Sequence, residues 1–194
     1  MAITLSGDSP NLTNATLTTP TLTTPTLTSP TISGTPTGVG VLTSGTAVDS
    51  TSGTSIDFTG IPSWAKRVTV MFNNVSTSGT SFKQIQLILS GGTVVTTGYV
   101  SSSARFNITA ISESAVTTGL LLNANTAADN SFGSYAITNV SGNTWVGFGG
   151  MTFSNGNVVG SGGITLAGLL TGVRITTVNG TDTFDAGSIN ILYE

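Results

Sequence analysis

Two carboxylates three positions apart, Asp182 and Asp185, are the nearest approach to a catalytic pair in this chain of 194 residues. Paired carboxylates hydrolyse glycosides when a cleft holds the sugar between them. Here they sit in a turn-rich segment, residues 179–187, with Phe184 as the one aromatic close by. Calcium would need about six to eight oxygen ligands, which the spacing does not supply. Solvation of a loop is the reading that remains. Gly147, Gly149 and Gly150 flank Phe148 in a glycine-rich run, yet no lysine and no helical pattern follow to make a phosphate loop. Glycine in a strand marks a bulge or a close backbone approach instead. Histidine and cysteine are both absent. Without them the usual zinc ligands, the commonest general base near neutral pH and the thiolate nucleophile are missing together. We therefore expect no catalytic residue, no metal and no cofactor, and a protein that is not an enzyme.

Binding asks for less. Sugar recognition uses an aromatic platform ringed by hydrogen-bonding groups, and Tyr99, Arg105 and Tyr135 are the candidates whose surroundings look exposed. Each also fits an ordinary rim or interface position. Trp64, following Ile61 and Pro62, reads as a plug at the edge of the fold. Asn-x-Ser/Thr triplets at Asn74, Asn107, Asn139 and Asn179 carry no weight in a chain with 24 Ser and 37 Thr.

The elements that must position such residues are strands. Threonine and valine are β-branched, the 25 glycines and many asparagines supply turns, and the chain is 38% hydrophobic, too apolar for disorder. Val68, Val70 and Phe72 alternate with Arg67, Thr69 and Met71, and Ile85, Leu87 and Leu89 repeat the pattern. Further strands are expected over 55–58, 94–100, 105–110, 116–122, 134–140, 144–153, 163–170, 173–178 and 188–193. Asn155-Gly156 and Asn179-Gly180 are the strongest turn signals. Strands of this number and spacing predict an all-β fold, an antiparallel β-sandwich resembling a jelly roll, over residues 46–194. Its core would draw on Val68, Val70, Phe72, Ile85, Leu87, Phe106, Ile108, Ile137, Trp145, Phe148, Phe153, Val173, Ile175, Ile189 and Ile191. Leu120, Leu121 and Leu122 are consecutive, so a strand there shows apolar side chains on both faces; a subunit interface would explain that.

Residues 1–45 differ in kind. Leu12, Leu17, Leu22, Leu27 and Ile32 recur every fifth residue, with Pro20, Pro25 and Pro30 in step. Proline at that spacing bars a helix and interrupts a ladder, so each unit is a short extended piece. One apolar residue in five cannot offset the order of the rest, at about 1–2 kcal/mol per backbone residue. Three copies wound together could turn the leucines to a common axis, in a stalk of at most about 90 Å for about 28 extended residues. An arm lying on another surface, or a free linker, are the alternatives. A pentapeptide-repeat β-helix fits the spacing but not the prolines, and five units make little more than one coil, which has nothing to stack on.

Charge excludes other partners. Only 7% of residues are charged, net -3, and the basic residues Lys66, Arg67, Lys83, Arg105 and Arg174 do not cluster. Nucleic acid is therefore not an expected partner. No apolar run approaches the roughly 20 residues that span a bilayer, and the start of the chain lacks the pattern of an export signal, so membrane insertion is not expected either.

The run TLTTPTLTSPTISGTPTG, the stretch SGTAVDSTSGTSIDFTGIPSWAKRVTVMF and the closing GSINILYE together resemble phage virion appendage proteins, the small tail-fibre, head-fibre or spike group. The resemblance implies a homotrimer whose N-terminal arm attaches to capsid or tail proteins and whose C-terminal β-domain faces outward. It carries over no catalytic residue. It implies a place on the virion surface, reached after synthesis in the host cytoplasm and release by lysis. Two roles are then open: a domain that contacts a host-surface glycan or protein, or a capsid decoration protein with a mainly structural part.

Overall fold

The computed structural model describes residues 42–124, 127, 129–154 and 156–194. The leucine repeat, Leu12 to Ile32, lies outside them. Among the described residues there is no helix, and none therefore that could cross a membrane. The strands are β1 (Thr43–Ser44), β2 (Val48–Asp49), β3 (Ser55–Thr59), β4 (Arg67–Thr77), β5 (Lys83–Leu89), β6 (Val100–Asn107), β7 (Ile111–Val116), β8 (Leu120–Leu122), β9 (Ser131–Ser141), β10 (Thr144–Phe153), β11 (Gly156–Thr165), β12 (Leu170–Thr177) and β13 (Phe184–Tyr193). They form two antiparallel sheets. The larger has nine strands in the order β1-β13-β4-β9-β10-β11-β6-β7, with β2 also on β13; the smaller runs β3-β12-β5-β8. The sheet takes up the chain at Thr43, slightly ahead of the boundary at residue 46 read from the sequence.

One hydrophobic cluster draws on both sheets. Val68, Val70 and Phe72 of β4, Ile137 of β9, Trp145 and Met151 of β10, and Ile189 and Ile191 of β13 come from the larger; Ile85 and Leu87 of β5 with Val173 and Ile175 of β12 come from the smaller. The alternation in β4 and β10 arises because successive side chains of a strand point to opposite faces. Trp64 is half-buried at the rim of this cluster, its ring 5.8 Å from that of Tyr193.

Several expectations need correction. Phe148 is 65% exposed and Phe106 is exposed too, both on the outer face of the large sheet, while Ile108 is 93% exposed in the β6–β7 turn. In that turn Asn107 Oδ1 accepts from the Thr109 and Ala110 amides, closing the loop locally and leaving Ile108 outside. Residues 94–99 are not a strand: Val94 makes an isolated bridge to Ile88, and Val100 opens β6. The 116–122 segment divides, Val116 ending β7 and Leu120 starting β8, and 163–170 divides between β11 and β12. Gly156 does not occupy a turn centre; it opens β11 opposite Phe153. A two-residue hairpin closes at Gly142-Asn143, between Ser141 and Thr144, where Gly142 takes a φ of 50°. Glycine is favoured there because the first central residue of such a turn needs the left-handed region.

The triple-leucine strand also has an internal explanation. Leu120, Leu121 and Leu122 are all buried within the single chain. β8 pairs with β5 on one side, and its other edge is met by serines of β6: the Leu121 amide donates to Ser101 Oγ at 2.8 Å and the Asn123 amide to Ser103 Oγ at 3.0 Å. Those hydroxyls donate onward to the carbonyls of Ser161 and Val159. Side-chain hydroxyls thus finish a ladder that a neighbouring strand would otherwise complete, as buried amides demand. Gly160 permits the approach, since a Cβ there would fall 2.3 Å from the Leu121 carbonyl oxygen.

Candidate functional site

The smaller sheet carries an unusual polar face. Along β5 the core-facing Ile85 and Leu87 alternate with Gln84 and Gln86, which an isolated strand would hold out in water. Both glutamines are nevertheless buried, at 2% and 6% exposure. The segment between β7 and β8 lies against them. Gln86 Nε2 donates to the Thr118 carbonyl at 2.9 Å, Thr118 Oγ1 donates to Gln84 Oε1 at 2.8 Å, and Gln84 Nε2 reaches the Thr177 carbonyl at 3.4 Å. On neighbouring β12, Arg174 donates through Nε and Nη2 to the two carboxylate oxygens of Asp57 on β3, both at 2.7 Å. That bidentate pairing raises the Arg174 pKa further and cancels the local charge. Thr176 Oγ1 is held by the Thr54 carbonyl.

Gln84, Gln86, Arg174 and Thr176, together with Thr118 and Asn179, line a pocket of about 310 Å³. Its walls offer amide and hydroxyl groups already fixed by other contacts. Such an arrangement can hydrogen-bond a small neutral ligand, and it holds no nucleophile paired with a base. No group of three or more metal-ligating side chains occurs among the described residues.

A wider, shallower concavity of about 1010 Å³ lies at the end of β6, β10 and β11, lined by Tyr99, Trp145 and Ile164 with Val100, Ala115 and Val146. Its hydroxyls are largely engaged already: Ser101 with Ser161, and Thr144 with Thr165.

Of the residues singled out from the sequence, Tyr99 lines this concavity and the others fall elsewhere. Tyr99 and Tyr135 are not exposed; they are 1% and 0% accessible. Tyr99 Oη accepts from the Leu87 amide at 2.7 Å and donates to the Val95 carbonyl at 3.1 Å. It replaces a ladder partner where β8, which reaches only Ile85, has run out. Burial pushes its pKa up to about 12. Tyr135 fills the space opposite Gly147, where a Cβ would fall 2.4 Å from its ring, and burial raises its pKa too. Arg105 is half-buried, its guanidinium 4.4 Å from the centre of the Phe153 ring. Asp182 and Asp185 are engaged separately. Asp182 accepts from Asn179 Nδ2 at 2.6 Å and from the Ser81 amide at 2.9 Å, contacts that lower its pKa, while Asp185 accepts from Ser76.

The larger sheet has an outer face of different character. Cross-strand register places Val146 beside Thr138 and Gly163, Phe148 beside Ala136 and Ser161, and Val159 beside Gly150 and Ala104. Phe132, Phe106 and Ile111 continue the same face toward β7, and Val100 closes the other end of β6. All seven large apolar side chains are exposed. Among the described residues charge comes in at the margins of this face, with Arg67 beside Thr138 and Glu113 beside Ala104.

The chain matches no protein-family model, no curated protein and no solved structure.

Proposed function

We propose that this is a non-enzymatic virion structural protein of a phage, a trimeric surface fibre or spike whose C-terminal domain contacts the host cell. The observation that carries the reading is the outer face of the large sheet. Val100, Phe106, Ile111, Phe132, Val146, Phe148 and Val159 share one nearly charge-free face of the sheet. Large apolar side chains gathered on one exposed face mark association sites. With no charges to match against a dissimilar partner, we assign sister chains as the occupants, since a self-complementary neutral surface needs none. In this reading the two sheets are the halves of a jelly-roll-like sandwich. Residues 1–45 are the stalk or attachment arm, with Leu12, Leu17, Leu22, Leu27 and Ile32 along its axis and capsid or tail proteins at its foot.

The mass of the full chain in solution, measured by light scattering beside a chain beginning at Leu42, tests the assembly. A trimer for the full chain is expected, reduced to monomer by Phe148→Asp. Monomers throughout would remove the reading. Immunogold labelling of particles then separates the two virion roles: label on the tail supports host contact, whereas label on the capsid with normal adsorption after deletion supports decoration.

A further inference from the structure

We propose that the pocket over Gln84 and Gln86 is a binding site for a neutral sugar residue. The inference deepens the host-contact reading and rests on it for its biological setting, though binding itself is measured without a particle or a host.

Gln84 and Gln86 are unusually placed. A glutamine on the solvent side of a strand keeps its amide in water and its rotamers free. Gln84 and Gln86 have neither, because Thr118 lies across them and fixes both amides. Groups immobilised before a ligand arrives lose little further freedom on binding, which is how polar sites gain affinity. Gln86 directs its amide nitrogen to the Thr118 carbonyl, which leaves its Oε1 for a ligand hydroxyl. Arg174 spends Nε and Nη2 on Asp57 and keeps Nη1 as a fixed donor. Thr176 has donated its hydroxyl proton to Thr54 and presents lone pairs. Acceptors and donors therefore line the same pocket.

Charge and polarity select the ligand class. Arg174 is the one charged residue in the lining described, and the Asp57 carboxylate already neutralises it. A phosphate or carboxylate would have to compete with that pairing and finds no second cation. Apolar ligands meet a lining that is more polar than apolar, in which Val178 is the one aliphatic side chain among the described residues. A volume of about 310 Å³ is at the small end of ligand sites, which run from ~300 to ~1,000 Å³. A compact polyhydroxyl compound meets all three conditions. No aromatic ring lines the pocket, so stacking adds nothing and a single site binds weakly. Three linked copies would convert weak sites into useful avidity.

The test is saturation-transfer NMR on the full chain with glucose, galactose, mannose and N-acetylglucosamine, each at millimolar concentration, and with N-acetylneuraminic acid as the anionic probe. Transfer to at least one neutral sugar is expected, with loss of the signal in Gln86→Leu. Thr96→Met, on the exposed rim, fills the mouth without disturbing the glutamine network and should abolish the signal as well, which covers the case in which Gln86→Leu does not fold. Phe148→Asp should leave it in place. Absence of transfer to every neutral sugar, transfer to the anionic probe alone, or a signal that survives Thr96→Met overturns the proposal. Failure here with a trimer present on the virion removes only the sugar site. Sugar binding by a protein missing from the particle removes only the virion reading.

Discussion

Lys83 offers the sharpest test of how this interior is balanced. Its side chain is 1% exposed at the start of β5, and its Nζ meets no hydrogen-bond partner among the described residues. Burial lowers its pKa from 10.5 to about 8, against the opposing pull of the Asp129 and Asp185 carboxylates. A tenfold change in proton affinity is worth about 1.4 kcal/mol, so holding the ammonium in the folded state near pH 7 costs about 3 kcal/mol. Methionine keeps the length of the stem without the charge, and replacing a poorly compensated buried ion by an apolar side chain stabilises by roughly 1–4 kcal/mol. Lys83→Met is therefore expected to gain about 3 kcal/mol near pH 7. Below pH 8 the amine is charged in both folded and unfolded chains, and the cost is fully present. Between pH 8 and 10.5 the unfolded chain still holds the proton that the folded one has released, so wild-type stability rises with pH and the advantage of the variant shrinks toward zero. Urea denaturation at pH 7, 8, 9 and 10, followed by the fluorescence of Trp64 and Trp145 at one protein concentration, measures this difference while other titrating groups cancel. A variant less stable than wild type at pH 7, or a difference that does not change with pH, would refute the reasoning and show Lys83 to be compensated in place.

The serines under β8 should be indispensable: Ser101→Ala and Ser103→Ala each orphan a buried amide and are expected to lower stability by about 1–3 kcal/mol in the same denaturation assay. The two buried tyrosines should diverge. Tyr99→Phe removes an acceptor for the Leu87 amide and should destabilise by about 1–3 kcal/mol, whereas Tyr135→Phe removes a hydroxyl with no partner among the described residues and should be neutral or stabilising. Gly160→Ala drives a methyl into the Leu121 carbonyl and should separate β8 from the large sheet, seen as faster amide exchange at Leu121 and Asn123. The Arg174–Asp57 pair lies about one-third exposed, so Asp57→Asn should change stability by no more than about 1 kcal/mol.

Much of the framework is legible in the residues because strand patterning is local. β-branched residues, period-two alternation and glycine or asparagine turns placed β3, β4, β5, β9, β10, β12 and β13 close to where they lie. The absence of histidine and cysteine, and the scarcity of charge, likewise needed no fold to be read. What alternation cannot tell is which face of a strand meets the core, or whether the other face is covered. Phe106 and Phe148 carry the composition of a core and stand outside it, because their partners across the sheet place them on its outer surface. Tyr99 and Tyr135 carry the composition of a binding rim and are buried, one capping an unfinished ladder and the other filling the space over a glycine. The pocket was hidden for the same reason. Gln84 and Gln86 are ordinary solvent-side residues until the chain returns through Thr118, 32 residues beyond Gln86, and covers them. Local preference chose strands, whereas burial depends on contacts between residues far apart in the chain, and only the packed sheets decide those.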